Sequence, residues 1–217
     1  MISVLLPSRG RPAALLETMD GLLSLAASPG DVEILIAADP DDSPTVDLVR
    51  SRRLPGRARM WVAPERYGYK RICDYFNALD AMAAGPWSFM WNDDCSMLTQ
   101  GWDKVIRAET PGILWPQADL PSPDMNLFPV WPTAWTRHLG HVSLDQSTDM
   151  WIARLGEMTG TQRKIPVSVR HAHMFGDATA NERDATADVG TFHTEQMQRA
   201  READAEKLRE LLSRAVR

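Results

Sequence analysis

What most constrains this chain is a repeat. Through the first 94 residues, short apolar runs alternate with amphipathic stretches, each pair separated by a turn. Residues 2–6 (Ile2, Val4, Leu5 and Leu6 among them) form a run suited to a strand buried on both faces, closed by Pro7, Ser8, Arg9, Gly10, Arg11 and Pro12. A helix follows: Pro12 suits a first turn, and Leu15, Leu16, Met19, Leu22, Leu23 and Ala26 recur at three- and four-residue steps before Pro29 and Gly30 end it. Residues 31–38 are a second buried strand, and Asp39 opens a polar loop. Strand, helix and strand in that order predict a right-handed crossover and a parallel sheet. The unit repeats with a short helix at 45–53, a strand at 58–63, a helix at 71–84 carrying Ile72, Tyr75, Phe76, Leu79 and Met82 on one face, and a strand at 87–91.

The fourth strand ends in Asn92, Asp93 and Asp94. Two adjacent carboxylates at the tip of a buried strand repel each other and must be solvated or held by a cation, so a divalent metal is one reading and an Asx-rich turn the other. In an open α/β sheet this tip lies outside the carboxyl ends of the strands, where ligands bind. Past Thr99 the pattern changes. Pro and Trp become frequent, with short apolar runs at 112–115 and 127–131, which predicts an irregular, partly antiparallel half walling a cleft. A short helix at 149–155, an alternating strand at 164–173 and a long helix at 193–217 complete the reading. Met197, Ala200, Leu208, Leu211, Leu212 and Ala215 form the stripe of that last helix, for docking or dimerisation. The stretch 176–190 is polar and poor in large apolar residues.

Composition narrows the class. With 217 residues, 44% of them hydrophobic, one substantial core is expected. No apolar run reaches eighteen residues and the start has no charged leader, so a cytoplasmic protein with no membrane segment is predicted. Cys73 and Cys95 are too few for a disulfide framework. The net charge of -5 is uneven, since Arg50 to Arg71 holds eight Lys or Arg against the single acid Glu65. Such a stretch suits phosphate or is a solvated arginine-rich loop, while the acidity elsewhere argues against tight nonspecific DNA binding.

Taken in order, these segments resemble nucleotide-sugar glycosyltransferases of the GT-A fold, similar to family 2 enzymes and to small phage and bacterial members. Residues 2–12 look like that family's first strand and nucleotide loop, residues 32–39 like its second strand, Asn92-Asp93-Asp94 like its DXD motif, and residues 148–155 like the segment bearing a catalytic Asp. The resemblance covers roughly residues 2–175. It departs in reading Asn-Asp-Asp at the metal motif and in placing Thr148 where the family often has Glu.

The resemblance implies an α/β, Rossmann-like GT-A domain at 1–176, with a nucleotide-binding half at 1–99 and an acceptor half at 100–176, then a polar loop and C-terminal helix at 177–217. It implies a hexosyltransferase-like enzyme that moves a sugar from a nucleoside diphosphate, with UDP the expected nucleotide, to an acceptor hydroxyl. Contacts to the donor fall to Pro7, Ser8, Arg9, Arg11, Asp39, Lys70, Arg71, Asn92 and Asp93. Asp39 can accept a hydrogen bond from a uracil imide. Mn²⁺ or Mg²⁺ would be held by Asp94 and Asp93, with His171 or His173, two apart on one strand face, as a further ligand. Asp149 is the candidate general base and Asp145 the fallback; capping the helix that follows is the plainer role for Asp149. Trp115, Trp131 and Trp135 are candidates for stacking on the acceptor, which is a glycan, a small molecule or a hydroxymethylated pyrimidine in phage DNA. Two competing readings share these features. A nucleotidyltransferase needs a better Gly-rich loop than residues 8–11 supply; a nucleotide-sugar or glycan-binding module could keep the fold without turnover.

Overall fold

A computed structural model describes residues 1–51, 54–119, 125–171 and 191–215. Eight strands form a single mixed sheet in the order β3-β2-β1-β4-β7-β6-β8-β5. The repeat predicted from the first 94 residues builds one half of it. β1 (Ile2–Pro7), β2 (Val32–Ala38), β3 (Arg57–Val62) and β4 (Trp87–Met90) run parallel. They are linked by α1 (Pro12–Leu25), α2 (Ser43–Ser51) and α3 (Ile72–Met82). β1 and β2 read as nearly unbroken apolar runs because helices cover both their faces.

Alternation along each strand divides the core into two layers. Val4 and Leu6 of β1 and Ile34 and Ile36 of β2 face α1, with Leu15, Met19 and Leu22, and the short helix α4 (Trp102–Ala108) with Trp102 and Ile106. Leu5 and Leu35 point the other way, onto Phe76 and Leu79 of α3. Complete burial of each such side chain contributes roughly 1.5–3 kcal/mol, which makes this period-2 pattern the main determinant of register.

The second half is partly antiparallel, as predicted. β7 (Val130–Pro132) runs against β4 and β6 (Ile113–Ala118) against β7, β8 (Gln162–His171) lies parallel to β6, and β5 (Cys95–Met97) closes the far edge against β8. The sheet curls enough for β5 to meet α1, where Thr18 Oγ1 donates to the Cys95 carbonyl at 2.5 Å and accepts from Trp91 Nε1 at 2.7 Å. Two helices here are not predicted by the sequence: α4, and α5 (Thr133–Leu139), which starts directly after a β7 ending in Pro132. Each spans seven residues, too few for a 3.6-residue period to emerge.

α6 (Thr148–Thr159) packs so closely on β6 and β8 that a Cβ on Gly156 would sit 2.8 Å from the Ile113 Cβ. The C-terminal helix, α7 (Glu195–Ala215), lies across α5 and α6. Leu208 and Ala205 are buried there, and Met197, Ala200, Leu211 and Leu212 pack around them. Most of the predicted stripe is therefore spent on the chain's own core. His141 and the buried Asp204, 2.8 Å apart, and Arg209, which donates to the Met158 carbonyl at 2.6 Å, fix the helix at its polar edges. No described helix is long and apolar enough to cross a membrane.

Candidate active site

The carboxyl ends of β1, β2 and β4 converge on one cluster of charged groups. Ser8, just past β1, donates from Oγ to Asp93 Oδ2 at 2.7 Å, and its own N–H is held by the Ala37 carbonyl of β2 at 2.9 Å. Arg11, at the start of α1, donates to the other Asp93 oxygen and also reaches Asp94 at 3.6 Å. Asp93 is buried, and that burial together with the Asp94 charge pushes its pKa up to about 6 against the lowering pull of Arg11 and Ser8. The acidic pair thus splits in orientation: Asp93 is turned into the first strand's loop, while Asp94 faces His171.

His171 is the last residue of β8, and its Nε2 lies 3.3 Å from Asp94 Oδ1. The Cys95 thiol points to the same oxygen at 3.6 Å, and the three ligand atoms lie within 4.8 Å of one another. Two ligands at right angles, each about 2.1 Å from a divalent ion, stand about 3 Å apart. The Asp94 and His171 pair therefore has the separation that such an ion needs. Burial pushes the Cys95 thiol well above its ordinary pKa, and beside it Asp94 and His171 offer one carboxylate oxygen and one imidazole nitrogen to a divalent ion. His173, the other predicted histidine ligand, lies outside the described residues.

Asp39 ends the same edge one strand away and is almost wholly buried. Arg9 donates to its Oδ2 at 2.9 Å and forks onto Asp41 at 2.6 and 3.0 Å. Asp39 Oδ1 accepts from the Tyr75 hydroxyl and from the Tyr67 N–H at 3.2 Å. Burial and the adjacent carboxylate raise the Tyr75 pKa, so the phenol remains a donor. In the sequence Tyr75 belongs to an apolar helix face, and nothing in its spacing marks the hydroxyl. Asp42 acts as a turn acid, accepting from Gly10 N at 2.9 Å and Thr45 N at 3.3 Å. Lys70 and Arg71 are exposed in the 3₁₀ turn Tyr69–Arg71; Arg71 stacks on Tyr67 and pairs with Glu65 and Asp74. Pro7 closes β1, and Asn92 accepts from Cys95 N through its carbonyl at 3.2 Å.

A second feature lies beside α6. A cleft of about 670 Å³ runs along that helix from Asp149 in its first turn to Met158 in its last, walled by Trp115 of β6 and by Phe192 and Arg201. Asp149 is half-buried at its rim, within the first turn of a helix whose N-cap is Ser147, where the helix dipole favours a carboxylate. Asp145, the fallback base, is instead fully engaged, accepting from Ser147 N at 2.8 Å and Thr191 Oγ1 at 2.5 Å. Residues 126–128 join the cleft to the Asp94–His171 pair: Asn126 and Leu127 line the cleft, and the Phe128 ring stands edge-on to His171 at 5.5 Å.

Among the predicted tryptophans, only Trp115 reaches the cleft, with Lys164 4.6 Å over its ring. Trp131 and Trp135 must be corrected. Both are buried in the core layer under α3 and α5, since β7 is an interior strand and α5 turns its apolar side inward, and neither presents a face to an acceptor. Arg201 also lines the cleft, and a single arginine in a mixed-charge helix gives no pattern in the sequence.

Neither models of protein families nor the sequences of curated proteins give a match to this chain. Solved structures do match it by fold. The UDP complex of Staphylococcus aureus TarS 1–349 superposes with a TM-score of 0.62 at 11% identity, covering 78% of this chain and 60% of that one. The mannosyltransferase PcManGT from Pyrobaculum calidifontis, in complex with GDP-Man and Mn²⁺, gives a TM-score of 0.61 at 14% identity over 95% of this chain and 69% of that one. TarS 1–349 was also solved with UDP-GlcNAc, with a TM-score of 0.56. The chain thus has the fold of the nucleotide-sugar glycosyltransferases, and it spans less than two thirds of the TarS fragment.

Proposed function

We propose that this protein is a metal-dependent glycosyltransferase that takes a sugar from a nucleoside diphosphate, UDP first among the candidates, and transfers it to an acceptor hydroxyl. One observation carries the reading: Asp94 and His171 stand at metal-ligand separation at the carboxyl edge of the sheet, beside Arg11 and Ser8, in a fold whose solved relatives hold UDP, UDP-GlcNAc or GDP-Man with Mn²⁺. Asp94 is the main metal ligand, His171 the second, and Asp93 acts from behind by fixing Ser8 and Arg11. A divalent ion there would stabilise the negative charge that develops on a departing diphosphate.

The chain's own groups supply the rest. Arg11 can swing between the acidic pair and the donor phosphates. Asp39, held by Arg9 and Tyr75, still has lone-pair capacity on Oδ2 for a uracil imide N–H. Asp149 takes the proton of the acceptor hydroxyl as its oxygen bonds to the anomeric carbon, while the bond from that carbon to the diphosphate oxygen breaks on the opposite face. The cleft beside Asp149 receives the acceptor, whether a glycan, a small molecule or a hydroxymethylated base. The direct test incubates the protein with a panel of UDP- and GDP-sugars, with Mn²⁺ or with chelator, and follows release of the nucleotide. Release from at least one donor that depends on the metal is expected. No release from any donor, together with no nucleotide binding, overturns the reading.

A further inference from the structure

Cys95 opens β5 directly opposite His171, the last residue of β8, in the antiparallel ladder that joins the two strands. Residues paired in this way carry their side chains on the same face of the sheet, with Cβ atoms about 4.5–5.5 Å apart. Asp94 comes immediately before Cys95. Its Oδ1 lies 3.3 Å from His171 Nε2 and 3.6 Å from Cys95 Sγ, while Arg11 stands at its other oxygen, 3.6 Å away. The three ligand atoms all lie within 4.8 Å of one another. The backbone of Cys95 is fixed without any help from the thiol: its N–H donates to the Asn92 carbonyl at 3.2 Å, and its carbonyl accepts from Thr18 Oγ1 at 2.5 Å. Sulfur, oxygen and nitrogen are thus gathered by the fold itself.

Bond lengths turn this arrangement into a choice of ion. Zn²⁺ takes oxygen and nitrogen at about 2.0–2.1 Å and thiolate sulfur at about 2.3 Å, so tetrahedral angles set oxygen and nitrogen about 3.3 Å apart and oxygen and sulfur about 3.5 Å apart. The two distances measured from Asp94 Oδ1, 3.3 Å to nitrogen and 3.6 Å to sulfur, follow that pattern. A carboxylate and an imidazole serve Mn²⁺ as well, but a soft thiolate adds little to a hard ion and much to Zn²⁺. Three side chains also leave a tetrahedral ion one open position, as in catalytic zinc sites and unlike closed structural ones.

We propose that Cys95 is a third ligand at this site, and that its thiolate makes the site select Zn²⁺ over Mn²⁺ and Mg²⁺. As the ion binds, the S–H bond breaks, the proton passes to solvent, and the sulfur keeps the electron pair that it gives to the metal, with no change of oxidation state. Zn²⁺ then competes for the same oxygen and nitrogen with the ion that serves the donor diphosphate. The inference rests on the proposed function for that last consequence, since Asp94 and His171 belong to both.

The test titrates Co²⁺, a spectroscopic stand-in for Zn²⁺, into the metal-free full chain with no nucleotide present. A sulfur-to-cobalt charge-transfer band in the near ultraviolet is expected, with the strong visible absorption of a four-coordinate ion, and an equimolar amount of Zn²⁺ should erase both. Cys95→Ser should lose the charge-transfer band and bind Zn²⁺ roughly ten-fold or more weakly, while Mn²⁺ binding, followed by electron paramagnetic resonance, stays near that of the wild type. Cys73 is the only other cysteine, so Cys73→Ala should keep the band, and it makes the assignment even if Cys95→Ser does not fold. No charge-transfer band in the wild type overturns the inference, as does a band that disappears with Cys73. Wild-type Zn²⁺ affinity in a folded Cys95→Ser, or an equal loss of Zn²⁺ and Mn²⁺ affinity there, overturns it too. Mn²⁺-dependent UDP binding is measured separately and reports on the donor reading alone, so either conclusion can fail without the other.

Discussion

Glu33→Gln provides a stringent test of how the sheet is held at the edge away from the site. Glu33 sits at the amino end of β2, 4% exposed. Its Oε1 accepts from Ser3 Oγ at 2.5 Å, Ala84 N at 2.6 Å and Gly85 N at 3.3 Å, and its Oε2 from Arg59 at 2.9 Å. One carboxylate thus ties β1, β2, β3 and the turn before β4. Glutamine keeps an oxygen for the first three donors but removes their charge assistance, roughly half the strength of each, or about 1–3 kcal/mol over the two short bonds. It also turns an NH₂ towards Arg59; that side chain is half exposed, so solvent screening holds this part to about 1 kcal/mol. The expected loss is about 2–4 kcal/mol by urea unfolding, or roughly 4–16 °C in Tm.

The pH dependence has a definite sign. Burial pushes the Glu33 pKa up, but the bonds from Ser3, Ala84 and Arg59 outweigh it and hold it below 4.5 in the folded state. Its contribution is present above the unfolded pKa and fades as pH falls through the folded value, so Glu33→Gln should flatten the acid limb of the stability profile. UDP affinity should not change. A loss under about 1 kcal/mol with an unaltered acid limb would refute the reasoning.

Three predictions concern the site. Asp94→Ala should abolish the Mn²⁺ enhancement of UDP binding in calorimetry; equal enhancement in the variant would place the metal elsewhere. Asp39→Ala should weaken UDP by about 1–3 kcal/mol, by leaving a buried donor unmatched, with a smaller effect on metal binding; a wild type that binds UDP, GDP and ADP alike would deny Asp39 a part in reading the base. Asp149→Asn keeps the size and position within the first turn of α6 while removing basicity, so folding and UDP affinity should survive and transfer should fall by roughly 10²–10⁴-fold. Near-normal transfer would assign the base to another residue.

Much of the carboxyl edge of the sheet is legible in the sequence for a physical reason. Strands buried on both faces leave long apolar runs, and such runs stop only where the chain needs turns or acids, so Pro7, Asp39 and Asp94 announce themselves by interrupting a pattern. Residues that act through tertiary contact leave no such trace. Tyr75 belongs to a helix face whose period calls only for something large, and Arg201 to a helix where charge is expected anywhere. Trp131 and Trp135 misled in the opposite sense. A Pro- and Trp-rich stretch reads as loop, and only the insertion of β7 between β4 and β6 shows that these rings fill the core.

The Thr18 hydroxyl, bonded on one side to the Trp91 indole and on the other to the Cys95 carbonyl, has a consequence for how the site comes into being. Those contacts join positions 73 and 77 residues apart in the chain, and they hold only while the sheet is curled. The three residues between them, Asn92, Asp93 and Asp94, cannot open as an independent loop. The amides that close this segment, Trp91 N on the Leu5 carbonyl and Cys95 N on the Asn92 carbonyl, should exchange with solvent more slowly than those of an ordinary surface turn. An ion caught there would draw on an arrangement already made, and would raise the barrier to unfolding of the whole domain instead of merely quieting one loop.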